Sequence, residues 1–280
     1  MEPLPSQDPF SCFEDDSDCE NDERRDPTCG VLSFHKGTEQ ALLVYVQQHA
    51  VAKTPTAVRT AVDTFCQKRH WMMHVGPEKS QQLTSFLQEQ VANRQASTKN
   101  RTYVLLELGT YCGYSSILWA ESLQNIGIDF HIYSLEADPT FVSISKSMVD
   151  IAGLSTSITI LYNDVNDVRN TLSSLLSSND ISHIDFVFLD HDKDDYLKDL
   201  QSLEATKLIR AGVAVVADNV LFAQIESYRN YIQIHSMNKI VTTRLEHSFL
   251  EYSDPERLTA TNPELFDDGI EYTIYLQDPY

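Results

Sequence analysis

Between Thr38 and Ala92 apolar residues recur every three or four positions, in ALLVYVQQHA (41–50), TAVRTAVDTFCQKR (56–69) and SQQLTSFLQEQVA (80–92). That spacing gathers them on one helical face, so two or three helices are expected before any strand. The polar run from Asn93 to Arg101 reads as a loop. Beyond it the period changes. YVLLEL (103–108), HIYSLE (131–136), ITILY (158–162), IDFVFLD (184–190) and VAVVAD (213–218) are short, β-rich and too apolar to have a wet face. They alternate with the helical runs SSILWAESL, FVSISKSMVDIAG, DVRNTLSSLL and YLKDLQSLEATKLIR. This alternation predicts a doubly wound α/β fold, a parallel sheet with helices on both faces. KIVTTRLEHSFLEY (239–252) and IEYTIYL (270–276) look like two long strands joined without a convincing helix. They are expected to pair as an antiparallel hairpin at one edge, making a Rossmann-like, mostly parallel sheet of seven strands.

Composition narrows the function. With 280 residues and 42% hydrophobic content, the chain can bury one sizeable core. One domain over 37–280 is expected, monomeric and cytoplasmic. Residues 1–36 are rich in Pro, Ser, Asp and Glu, with seven acids from Glu14 to Glu23, and read as a disordered acidic tail. A formal net charge of -20 argues against binding nucleic acid or an anionic membrane. The five cysteines form no CxxC pair, so neither a disulfide framework nor a zinc site is suggested. The first thirty residues lack a secretory leader's basic start and apolar run, and nowhere do eighteen apolar residues stand together.

The first strand runs into ELGTYCGYS, which places Gly109 and Gly113 in the turn before a helix. Glycine there lets the backbone approach a ligand. The spacing is not the GxGxxG of dinucleotide enzymes, and Glu107 at the strand end would repel phosphate and attract an ammonium or sulfonium. A structural βα turn would carry the same residues. The second strand ends in Glu136, where a carboxylate can accept the hydroxyls of a ribose. Asp138, just before Pro139, is the better helix cap.

The fourth and fifth strands end in FLDHDKDDY and VAVVADNV. Asp190, Asp218 and Asn219 therefore converge as three hard oxygen donors at the carboxyl edge of the sheet, a set that suits magnesium. Lys193 lies three residues beyond Asp190. A cation held there would favour the neutral amine, which suits a general base; without a metal, Lys193 reads as a surface lysine among acids.

Together these segments resemble the catechol O-methyltransferase family. The likeness runs from about Gly37 to the C-terminus, through GTEQALLVYVQQHA, VDTFCQKRHWMMHVG, LLELGTYCGYSS, MVDIAGL, VFLDHDKDDYL, ADNV, SFLEY and GIEYTIY. The resemblance implies S-adenosylmethionine bound by Glu107, Gly109, Tyr111, Gly113, Ser115, Glu136 and Asp190, with Met73 and Val75 near the cofactor and His191 near its adenine. It implies Mg2+ on Asp190, Asp218 and Asn219, with Asn219 and both hydroxyls of a small catechol meeting at the ion. Lys193 matches the general base, Glu251 the acid that holds the hydroxyl left unmethylated, and Trp71 an aromatic wall of the substrate slot. Three positions depart from the family. Asp192 stands for a tryptophan, Ala223 for a proline, and Val165 with Asn166 for a Ser-Gln pair. The chemistry is thus expected to be retained and the slot to differ, so another vicinal diphenol, of caffeoyl type, is the alternative substrate. A non-catalytic binding protein is the alternative outside enzymes, opposed by the joint presence of Asp190, Lys193, Asp218, Asn219 and Glu251.

Overall fold

The computed structural model describes residues 38–68, 72–164, 168–178, 180–251 and 267–280. The acidic tail, Trp71, Val165, Asn166 and most of the connection before the last strand lie outside them. Three helices open the described chain: α1 (Thr38–His49), α2 (Pro55–Lys68) and α3 (Gly76–Asn93). The loop expected after α3 contains one 3-10 turn, Ala96–Thr98.

Strands and helices then alternate as β1 (Tyr103–Leu108), α4 (Tyr114–Ile126), β2 (Phe130–Glu136), α5 (Pro139–Ile151), β3 (Ile158–Tyr162), α6 (Val168–Ser177) and β4 (Phe186–Leu189). They continue as α7 (Tyr196–Ala205), β5 (Ala214–Ala217), α8 (Glu226–Met237), β6 (Val241–Phe249) and β7 (Asp267–Tyr275). The sheet has seven strands in the order β3-β2-β1-β4-β5-β7-β6, and β7 runs antiparallel to both β5 and β6. The doubly wound sheet with a C-terminal antiparallel hairpin is as the pattern predicts. Helix α8 is the element that pattern does not single out, and α7 stops earlier than its apolar run, at a turn where Lys207 has φ 62°.

Every residue of β1, β4 and β5 is buried, because helices cover both faces. Side chains alternate across β1: Tyr103 and Leu105 join the core under α1–α5, while Val104, Leu106 and Leu108 join the core under α6–α8. Edge strand β6 is half-buried or exposed after its first residue, the buried Val241. Helix α5 begins as expected, with the Asp138 carboxylate accepting from the backbone N–H of Thr140 and Phe141 ahead of Pro139. All five parallel strands of the winding point their carboxyl ends to one edge. Register pairs Leu108 with Leu189 and Leu189 with Ala217, so Gly109, Asp190 and Asp218 emerge side by side.

Candidate active site

A cleft of about 490 Å³ opens at that edge. Met73, Val75, Gly109, Tyr111, Ser115, Glu136, Asp190, His191, Lys193, Asn219 and Glu251 all line it, so residues spread over most of the chain meet in one place. Glu107, Gly113 and Asp218 sit behind this lining. Asp192 and Ala223 line it too, beside Phe222 and Leu250, which the sequence pattern leaves unremarked.

The turn after β1 is built by close approach. Gly109 has φ 91°, and a Cβ there would lie 2.2 Å from the Asp190 carbonyl oxygen. Only glycine lets the two strand ends come together so tightly. Tyr111 also takes positive φ, 48°, and its N–H donates to Glu136 Oε2 at 2.8 Å. Glu136 Oε1 accepts from the N–H of Ala137 and Asp138. The acid that closes β2 is thereby locked in place with lone pairs to spare. Burial pushes its pKa up, and these backbone donors oppose the rise.

Glu107 is fully buried beneath the turn, on the face it shares with Tyr103 and Leu105. Its Oε2 accepts from the hydroxyls of Ser116 and Ser134, whereas Oε1 has no partner among the described residues. Burial lifts its pKa to about 7 against the pull of those serines. His74 packs between the rings of Tyr111 and Tyr114, with centroids 5.0 and 5.7 Å away, and desolvation lowers its pKa to about 3. It is a neutral imidazole. His191 stacks on Tyr196 and shares Nε2 with Asp199 Oδ2 at 3.1 Å.

At the other end of the cleft the charges concentrate. Lys193 Nζ donates to Asp190 Oδ1 and to the Tyr196 hydroxyl, both at 2.8 Å. Asn219 adopts a left-handed conformation, φ 57°, which asparagine tolerates better than most residues. Its Nδ2 donates to Asp268 Oδ2 at 2.8 Å and to Glu251 Oε1 at 3.3 Å, leaving its Oδ1 as an acceptor. Asp218 Oδ1 accepts from Asn219 N–H and from Lys79 Nζ, each at 2.8 Å. Asp218 Oδ2 is buried and has no partner among the described residues. Burial raises the pKa of Asp218, and Lys79 opposes the rise. Asp218, Glu251 and Asp268 do bring one oxygen each within 4.8 Å of one another, as a metal cage would. The Lys79 ammonium stands among them, however, and fills the space between their oxygens.

Lys79, His74, Phe222 and Asp268 were not anticipated. One signal for Lys79 exists: it precedes Leu83 by four residues and so falls on the buried stripe of α3 with Leu83, Phe86 and Leu87. A lysine on an apolar stripe needs a buried partner.

A parallel sheet with a glycine turn after β1, an acid closing β2 and hard oxygen donors after β4 and β5 defines a Rossmann-like methyltransferase fold. An O-methyltransferase from Bacillus cereus in complex with SAH shares that fold, with a TM-score of 0.54 at 19% identity over 84% of this chain and 90% of that one. The O-methyltransferase family model matches residues 48–258. Catechol O-methyltransferase of Bos taurus is 35% identical over 226 residues, 79% of this chain and 75% of that protein. Catechol O-methyltransferase of Mus musculus is 34% identical over 195 residues, 70% and 68% of the two chains. The chain belongs to the catechol O-methyltransferase family. It is an S-adenosylmethionine-dependent O-methyltransferase acting on a small molecule. Among the described residues no helix is long and apolar enough to cross a membrane.

Proposed function

We propose that the chain methylates one hydroxyl of a catechol, using Mg2+ held by Asp190, Asp218 and Asn219. The observation that carries this reading is the orphaned, buried Asp218 Oδ2, at the end of the strand next to the one that ends in Asp190. A buried carboxylate oxygen left without a partner costs free energy unless a cation takes it up. When bound, magnesium would lower the pKa of a chelated phenol from its usual value of about 10.

Val75, Gly109, Tyr111, Ser115, Glu136, Asp190 and His191 would hold S-adenosylmethionine, the source of the methyl group, with Glu107 and Gly113 supporting the turn from behind. Glu136 accepts the ribose hydroxyls and His191 flanks the adenine. Lys193 Nζ, placed by Asp190 and Tyr196, would in its neutral form take the proton of the reacting hydroxyl. Glu251 accepts a hydrogen bond from the neighbouring hydroxyl. Holding both reactants in contact supplies roughly 7 kcal/mol or more of barrier reduction.

Asp192 and Ala223 both line the cleft, which favours a second reading, a wider vicinal diphenol of caffeoyl type. Methyl transfer measured with Mg2+ over catechol, a caffeoyl ester and a monohydroxy phenol tests both. Two adjacent hydroxyls should be required, and the preferred diphenol chooses between the readings. Equal turnover of the monohydroxy phenol would overturn chelation altogether.

A further inference from the structure

Lys79 lies in the first turn of α3, yet its side chain is 2% exposed. Its three N–H bonds all go to carboxylates: Asp218 Oδ1 at 2.8 Å, Asp268 Oδ2 at 2.6 Å and Glu251 Oε1. Those acids come from three places, the end of β5, the chain just after β6 and the start of β7. Burial alone would strip the ammonium of its proton, but the three acids outweigh it and hold its pKa well above the ordinary value.

The geometry has two consequences. Asp218 has one oxygen committed to Lys79 and the other uncommitted, so it can offer a ligand only one oxygen. Glu251 has Oε1 tied to Lys79 and Asn219, which orients the carboxylate toward the cleft it lines. Without Lys79, three oxygens within 4.8 Å of one another would be a vacant cage of hard donors, of the flexible sort that takes up divalent cations bidentately. A lysine suits the place, being a compact charge with three donors, where arginine is a planar fork.

We propose that Lys79 is a positioning residue that acts as a resident cation: it fills the Asp218–Glu251–Asp268 cage, leaves a single Asp218 oxygen for the catalytic metal, and aims Glu251 at the substrate. The proposal rests on the metal reading above. It concerns a residue the chain supplies itself, and it predicts how many ions bind.

The test is titration of the metal-free full-length protein with Mn2+, followed by electron paramagnetic resonance, together with steady-state kinetics. The unaltered protein should bind one Mn2+. Lys79→Met should bind two, the second in the vacated cage, with KM for the diphenol raised at least tenfold and cofactor Kd within twofold. A purely structural ion pair would lower Tm in Lys79→Met without adding a Mn2+ site, and one Mn2+ of unaltered affinity with unaltered KM overturns the proposal. If Lys79→Met does not fold, Lys79→Arg carries the test. Its displaced charge should weaken Mn2+ binding at least tenfold while one ion still binds; unaltered affinity and KM overturn the proposal there too. Absence of any Mn2+ site in the unaltered protein would instead overturn the metal reading, and the proposal with it.

Discussion

Lys193 and Asp190 form an ion pair at 2.8 Å, three residues apart, at the carboxyl end of β4. The Tyr196 hydroxyl, itself buried, holds the same ammonium and lies 2.8 Å from the Leu189 carbonyl and 3.1 Å from that of Asp218. The amine is thus braced on the strand ends that carry Asp190 and Asp218. Lys193→Ala should lower kcat roughly a hundredfold, the usual scale for a general base, with cofactor Kd within twofold. A kcat within a factor of two of the unaltered protein would place the base elsewhere.

Metal dependence has its own test. EDTA should abolish methyl transfer and Mg2+ restore it, whereas Asp218→Asn should stay inactive at every Mg2+ concentration, because the amide takes away the charge that holds the ion. Full turnover in EDTA would remove the metal from the mechanism.

Gly109 and Gly113 have nearly the same backbone, φ 91° and 88°, but different surroundings. A Cβ on Gly109 meets the Asp190 backbone at 2.2 Å, while one on Gly113 meets Ser145 at an ordinary 3.4 Å. Gly113→Ala should therefore cost about 1–2 kcal/mol, the strain of a left-handed alanine. Gly109→Ala adds a clash with the strand end that carries Asp190, and should cost about 3 kcal/mol or more with loss of cofactor binding. Equal melting temperatures for the two variants would contradict the close approach.

Glu107 makes a pH prediction. Burial raises its pKa to about 7 from the ordinary 4.5, so the folded state holds a proton that the unfolded chain gives up. Its contribution to stability is full below pH 4.5 and is lost as pH rises to about 7, by roughly 3 kcal/mol in all. Glu107→Gln removes this loss. Relative to the unaltered protein, the variant should gain stability between pH 5 and pH 8 in denaturant melts; a constant difference across that range would show that Glu107 does not titrate there.

Asp192 lines the cleft as an exposed acid and caps a second 3-10 turn, Lys193–Asp195, by accepting from Asp194 N–H. At about 8 Å and an effective dielectric of about 20, its charge is worth roughly 2 kcal/mol to a ligand before salt screening. Asp192→Asn keeps the cap and removes the charge. It should shift the kcat/KM ratio of dopamine to dihydroxybenzoate toward the acid, most strongly at low salt; an unmoved ratio assigns the altered slot to Ala223 and Phe222.

Much of this site was legible because parallel strands end where their apolar runs end. An apolar run such as FVFL or VVA stops at its first acid, so Asp190, Asp218 and Glu136 announce themselves locally, and strand register then aligns them. Gly109 is legible for a similar reason, since a tight turn after a buried strand demands it. The sequence therefore determined the winding, the ligand edge and most of the residues facing it.

Tertiary structure alone decided the ion cluster behind that edge. Lys79 is 139 positions from Asp218, 172 from Glu251 and 189 from Asp268, and no period along the chain relates them. In sequence, Lys79 is one polar residue near a helix start and Asp268 one of two adjacent acids before a strand. Their pairing exists only because α3 docks against the sheet and the C-terminal hairpin folds back beside β5, burying one ammonium among three carboxylates where water cannot stand in for it.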